Sequence, residues 1–159
     1  MKKLLILSVL AAIAICFVSS CGTPGLKGTA FSAAIGKNLK LVEVRIEHAF
    51  PREVLFNRAM LSKENAGSAF LLKIEASSLS GTASPNSYSA PYTLGERQAI
   101  TISPMRSTKM ATLLQPEKLR EERYYEYMQN AYEWEISNGR LLIHSKTEDG
   151  RDIRLMFSL

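Results

Sequence analysis

Hydrophobic positions divide the chain into three stretches. Leu4 to Val18 is an almost unbroken apolar run, with Ser8 and Cys16 as mild exceptions. Gly22 to Gly36 is rich in Gly, Ala, Thr and Ser and reads as a flexible tether. From Leu39 onward, apolar residues alternate with polar ones in short blocks, the period-two signature of half-buried strands. Leu39, Leu41, Val42, Val44 and Ile46 predict a strand whose apolar phase slips once, which implies a bulge. Glu53 to Phe56 predicts a second short strand, and Arg58 to Asn65 fits a helical turn. Phe70, Leu72 and Ile74 alternate within Ser68 to Glu75. Ser78 to Thr82 and Tyr88 to Thr93 flank a Gly/Ser/Pro/Asn segment, a hairpin pattern. Ala99 to Ser103 carries Ile100 and Ile102.

Only one segment has helical periodicity, predicted over 116–131. Pro116 suits a first helical position, where its missing N–H leaves nothing unpaired. Glu117 and Glu121 sit where the helix dipole favours acids. Tyr124, Tyr127, Met128 and Ala131 fall at i, i+3, i+4 and i+7 and predict one buried stripe, with Glu121, Glu122 and Arg123 on the wet side and Tyr125 exposed. Trp134 and Ile136 then alternate with Glu133 and Glu135. Asn138-Gly139 is a strong hairpin signal, because both turn positions need positive φ. Leu141 to Ser145 returns, Glu148-Asp149-Gly150 turns again, and Ile153, Leu155, Phe157 and Leu159 alternate to the last residue. The expected class is α+β and mostly antiparallel: a small barrel-like sheet with one packed helix.

The start of the chain sets its expected location. Lys2 and Lys3 precede the apolar run, and Val18-Ser19-Ser20-Cys21 follows it. A basic start, an apolar stretch too short to span a bilayer as a helix, and small residues at its end are the marks of an export signal. The small residues running into a cysteine resemble the lipobox of bacterial lipoproteins. That resemblance implies cleavage after residue 20 and acylation of Cys21, palmitate being one such acyl group. The expected division is therefore a signal peptide at 1–20, a lipidated N-terminus and tether at 21–37, and a domain at 38–159. The expected place is the cell envelope, on either the outer or the cytoplasmic membrane.

Composition sharpens this. Cys16 would leave with the signal and Cys21 would be acylated, so the mature chain would hold no thiol. That excludes a cysteine nucleophile, a thiolate metal site and a disulfide scaffold. The +5 charge includes Lys2 and Lys3, and the remaining basic residues are scattered, so no nucleic-acid surface is expected.

Residues 80–92, Ser-Gly-Thr-Ala-Ser-Pro-Asn-Ser-Tyr-Ser-Ala-Pro-Tyr, resemble a Gly…Asn-x-Tyr…Tyr motif of the META domain family, the HslJ-like proteins. Ile100-Thr101-Ile102 and Ser107-Thr108-Lys109-Met110-Ala111 resemble a second motif of that family. The tyrosine-bearing helix, the Trp134 strand and the Asn138-Gly139 turn follow in the family's order. The resemblance implies a small antiparallel barrel with a helix packed on it, frequent occurrence as an envelope lipoprotein, links to stress, and no established biochemical activity. The chain departs from the family at Leu39, where many members carry tryptophan, and at Pro85 and Thr112, where many carry cysteine.

Candidate chemistry is sparse. His48 and His144 have no evident partner, Ser107-Thr108 has no placed base, and no phosphate-loop, zinc or nucleophile-elbow spacing occurs. No catalytic residue, metal ligand or cofactor is expected. Asn86 and Tyr88 are the candidates for ligand binding, although Asn86 is as well suited to holding its own hairpin. The expected function is non-enzymatic: binding or a structural role in the envelope, with a link to stress, the membrane held through lipid on Cys21 and an unknown envelope protein or small ligand as partner. Two other readings are a carrier of a small hydrophobic ligand in a barrel interior, and an inhibitor or partner-binding module for an envelope enzyme.

Overall fold

The computed structural model describes residues 30–62, 67–110, 115, 116 and 118–159. The export signal, Cys21, Ala111, Thr112 and Glu117 lie outside the described residues. Ten strands form one antiparallel sheet: β1 (Asn38–Ile46), β2 (Val54–Asn57), β3 (Leu71–Ile74), β4 (Ser78–Thr82), β5 (Ser87–Leu94), β6 (Ile100–Ile102), β7 (Arg106–Ser107), β8 (Glu133–Ser137), β9 (Arg140–Lys146) and β10 (Asp152–Ser158). The order around the sheet is β6-β5-β4-β3-β1-β10-β9-β8. A bridge between Ala99 and Glu133, and a bond from Ile100 N–H to Tyr132 O at 3.1 Å, bring β6 to β8 and nearly close the barrel. One helix, α1 (Glu121–Gln129), covers an end.

The alternation read from the sequence faces this barrel as expected. Leu39, Leu41, Val44, Ile46, Leu72, Ile74, Leu141, Ile143, Ile153, Leu155 and Phe157 all point into a packed interior. Trp134 and Ile136 are buried, and Glu133 and Glu135 lie on the wetter face of β8. Asn138 and Gly139 both have positive φ, at 52° and 69°.

The phase slip in β1 is a bulge between Leu41 and Glu43. There the strand changes partner, pairing with β3 before the slip and with β2 after it. Arg58, in a single turn after β2, fills the seam. Its guanidinium donates to Leu41 O at 2.5 Å, Ala69 O at 2.7 Å and Phe70 O at 3.1 Å. Phe70 O also accepts from Leu41 N–H at 3.0 Å, so the guanidinium joins a backbone bond already made where the ladder divides.

Three elements differ from the sequence reading. The helix begins at Glu121 rather than near Pro116. Arg120 is extended (φ −78°, ψ 161°), which lets Leu119 turn into the core with no exposed surface. The folded body also reaches upstream of residue 38: a turn at Phe31–Ala34 buries Phe31 and Ala34. The Phe31 ring lies 4.9 Å from Trp134 and 5.5 Å from Tyr92, so an aromatic trio fills the end of the barrel opposite α1. Glu121, expected on the wet side, is 5% exposed.

Gly81 on β4 faces Tyr88 on β5. A Cβ at Gly81 would lie 1.9 Å from Leu71 O and 2.8 Å from the Tyr88 hydroxyl. The position must be glycine because the Leu71 carbonyl on β3 lies against it, with the Tyr88 hydroxyl beside that carbonyl. Gly81→Ala should therefore cost about 3 kcal/mol in urea unfolding, as an overpacked core does. Gly67→Ala, with open space around it, is the control and should leave the midpoint unchanged.

Candidate functional site

The β4–β5 hairpin brings Asn86 to the end of the barrel that α1 covers. Asn86 is 4% exposed. Its backbone N–H donates to Glu121 Oε1 at 2.9 Å, and its Nδ2 donates to Glu121 Oε2 at 2.6 Å. One carboxylate thus clasps both the backbone and the side chain of one asparagine. The rest of the amide grips the segment after β7. Nδ2 donates to Met110 O at 3.0 Å, while Oδ1 accepts from Met110 N–H at 2.6 Å and from Thr108 Oγ1 at 2.8 Å. The amide therefore pairs with Met110 as a neighbouring strand's backbone would.

Glu121 can fill this role because it opens α1. Its carboxylate lies at the positive end of the helix dipole, and its own N–H donates to the Gln115 side chain at 3.1 Å. No ion pair to Glu121 is found among the described residues. Hydrogen bonds and the helix end hold the buried carboxylate.

Tyr88, two residues beyond Asn86, anchors the helix from below. Its hydroxyl donates to Leu71 O at 2.9 Å and lies 2.7 Å from the Tyr124 hydroxyl. Edge-on ring contacts link Phe56, Phe70, Tyr124, Tyr88 and Tyr125 at 5.2–5.6 Å. Burial pushes the Tyr88 and Tyr124 hydroxyls well above the usual tyrosine range, and for Tyr88 the neighbouring Tyr124 adds to the shift. Tyr125, expected to be exposed, is half-buried. Its buried hydroxyl makes no well-formed hydrogen bond, and burial, with the Glu121 carboxylate second, raises its pKa.

An open cleft of about 670 Å³ lies over this cluster, lined by Asn86, Thr108, Lys109, Gln115, Glu121 and Tyr125. Its floor carries amide, carboxylate and phenol groups. Asn86, the candidate read from the sequence, is there, but its side-chain oxygen and nitrogen are both engaged within the protein. Tyr88 points into the core rather than into the cleft. Ser107 and Thr108 belong to the strap, where the Thr108 hydroxyl accepts from Ser87 N–H at 3.2 Å.

The two histidines lie elsewhere. His48 is exposed on the β1–β2 turn, at positive φ. His144 has a partner the sequence did not reveal: its Nδ1 is 3.1 Å from Glu47 Oε2 across the β1–β10–β9 faces. Glu121, Arg58 and the Glu47–His144 pair were all missed, because each acts on a partner far away in the chain. Among the described residues, no group of three His, Cys, Asp or Glu side chains is placed to hold a metal ion.

Two expectations follow for stability. Asn86→Asp keeps the shape but sets a second carboxylate against Glu121. It should lower stability at neutral pH by about 3 kcal/mol and recover part of the loss as acid protonates the pair. Unchanged urea midpoints at pH 7 would contradict it. For the tyrosines, the folded state resists ionisation, so above the ordinary value near 10 the unfolded chain holds fewer protons than the folded one. Stability should hold up to about pH 9 and fall steadily above pH 10. Tyr124→Phe should make that fall shallower in a pH series of chemical melts.

Solved structures share this architecture. A protein from Burkholderia xenovorans, solved by NMR, superposes with a TM-score of 0.55 over 80% of this chain and 85% of its own, at 14% identity. A DUF4847 family protein from Bacteroides vulgatus, a crystal structure, gives a TM-score of 0.53 over 80% and 94%, at 11% identity. At such identities the likeness is one of fold. No curated protein matches the chain. The META domain model matches residues 60–156, which run from the turn after β2 through most of β10 and include both motifs, Asn86, Tyr88 and α1. Matched over more than half its length by that model, the chain belongs to the META domain family.

Proposed function

We propose that this protein is a lipid-anchored, non-enzymatic META-domain protein of the bacterial cell envelope, acting through binding or a structural role. The observation that carries the reading is the N-terminal pattern: Lys2 and Lys3, an apolar run, and Val18-Ser19-Ser20-Cys21. The arrangement around Asn86 supports the non-enzymatic part. Groups that would make a reactive cluster in solution are spent on hydrogen bonds that join hairpin, strap and helix. A part in envelope stress is the role that membership of the family suggests.

A carrier function is less well supported. The barrel axis is filled by Leu39, Leu41, Leu72, Leu141, Ile153, Leu155 and Phe157, each buried to 1% exposure or less. The open cleft beside Glu121 instead favours a module that takes a partner's polar side chain or peptide from outside.

Metabolic labelling with radioactive palmitate tests the anchor. The wild-type protein should carry label and partition into the detergent phase of Triton X-114. Cys21→Ala should lose the label and accumulate with residues 1–20 uncleaved. Wild-type protein without label, or Cys21→Ala protein processed normally, would overturn the reading.

A further inference from the structure

The two ends of the barrel differ in character. One is capped by α1 and carries the Asn86 hairpin and the β1–β2 tip, where Phe50 is fully exposed. The chain enters at the other. Phe31 and Ala34 are locked into the core there, and Gly36 N–H donates to Ile74 O at 2.8 Å, so the point of entry is fixed. Around it lie the start of β1, the turns after β3, β5 and β8, and the last residue, Leu159, whose N–H donates to Gly139 O at 3.0 Å.

Basic side chains gather at this entry end. Lys37, Lys40, Lys73, Arg97 and Arg140 lie on it or on its rim, against Glu75, Glu96, Glu133 and Glu135. Lys73 is paired with Glu75 at 2.9 Å. Among the described residues, Lys37, Lys40, Arg97 and Arg140 take part in no ion pair. Two apolar side chains project beside them, Ile35 at 40% and Leu94 at 45% exposure. Arg97 and Gln98 sit consecutively in left-handed backbone, at φ 53° and 66°, a conformation in which glycine would be unstrained. An arginine is held out at the tip of that turn.

We infer that this end is a membrane-apposition face, seated on an anionic phospholipid surface, with Lys37, Arg97 and Arg140 meeting headgroup phosphates and Leu94 and Ile35 reaching the interface. The inference rests on lipid attachment at Cys21. Eight residues lie between Cys21 and Ala30 on that reading, and fully extended the nine steps reach roughly 30 Å. The entry end is therefore the part of the body that the anchor keeps nearest the bilayer. Basic side chains close to such a surface each strengthen contact about fivefold, an effect that salt screens.

The test uses the full-length lipidated protein in vesicles of phosphatidylglycerol and phosphatidylcholine. Leu94→Cys and Phe50→Cys would each provide one thiol for an environment-sensitive fluorophore, with a nitroxide lipid as quencher. The Leu94 probe should be quenched several-fold more than the Phe50 probe. Lys37→Glu, Arg97→Glu and Arg140→Glu together, or molar salt, should erase the difference. Equal quenching at the two ends, or quenching at Leu94 that ignores charge reversal, would overturn the inference. A Leu94 probe shielded from water but not reached by the quencher would point to a protein partner and likewise overturn it. Flotation separates the two readings. Protein that fails to float, or whose unsubstituted form takes the thiol label at Cys21, fails at the anchor. Protein that floats with an unquenched Leu94 probe fails only here.

Discussion

The fold depends on one buried bidentate contact, the Glu121 carboxylate on the backbone and side chain of Asn86. A helix of nine residues is too short to be stable in water on its own. It is held here because its first residue binds a hairpin tip and its stripe of Tyr124, Tyr127 and Met128 closes the barrel. Asn86 in turn fixes the strap through Met110, pairing with both backbone groups of that one residue. Remove the asparagine and two separate pieces of chain, the strap and the helix, lose polar partners in a place water reaches poorly, where each unpaired group is costly.

Tyr88 and Gly81 make a second clasp from the same hairpin. The missing Cβ on β4 leaves room for the Leu71 carbonyl and the Tyr88 hydroxyl, which reaches that β3 carbonyl and the helix at once. The two clasps explain why the 80–92 motif reads as diffuse rather than catalytic. Its glycine, asparagine and tyrosine are spaced to hold three elements together. The outer cleft is shaped by this scaffold and borrows its polar walls from it.

Much of the fold was legible because strand alternation and turn chemistry are local. The Asn138-Gly139 hairpin, the β1 bulge and the buried helical stripe all follow from neighbouring residues. The helix start was misplaced because local cues at Pro116 and Glu117 were outweighed by a tertiary one: Leu119 turns inward and Glu121 meets Asn86. Phe31 was hidden in a segment whose composition reads as a tether, and its partners Tyr92 and Trp134 lie more than sixty residues away. For the site, the sequence singled out Asn86 but not what it binds. Nothing within the hairpin announces a carboxylate thirty-five positions downstream. Glu47 and His144, ninety-seven apart, escaped for the same reason.

A double-mutant cycle between Asn86 and Glu121 addresses the central dependence most directly, because it isolates the pair from the cost of each truncation. Asn86→Ala, Glu121→Ala and the double variant would be compared by urea unfolding. The two losses should be strongly non-additive, with a coupling of about 2 kcal/mol, near the upper part of the range for residues in one hydrogen-bonded network. Additive losses, with coupling near zero, would show that helix and hairpin are held by the aromatic core alone and would contradict the account.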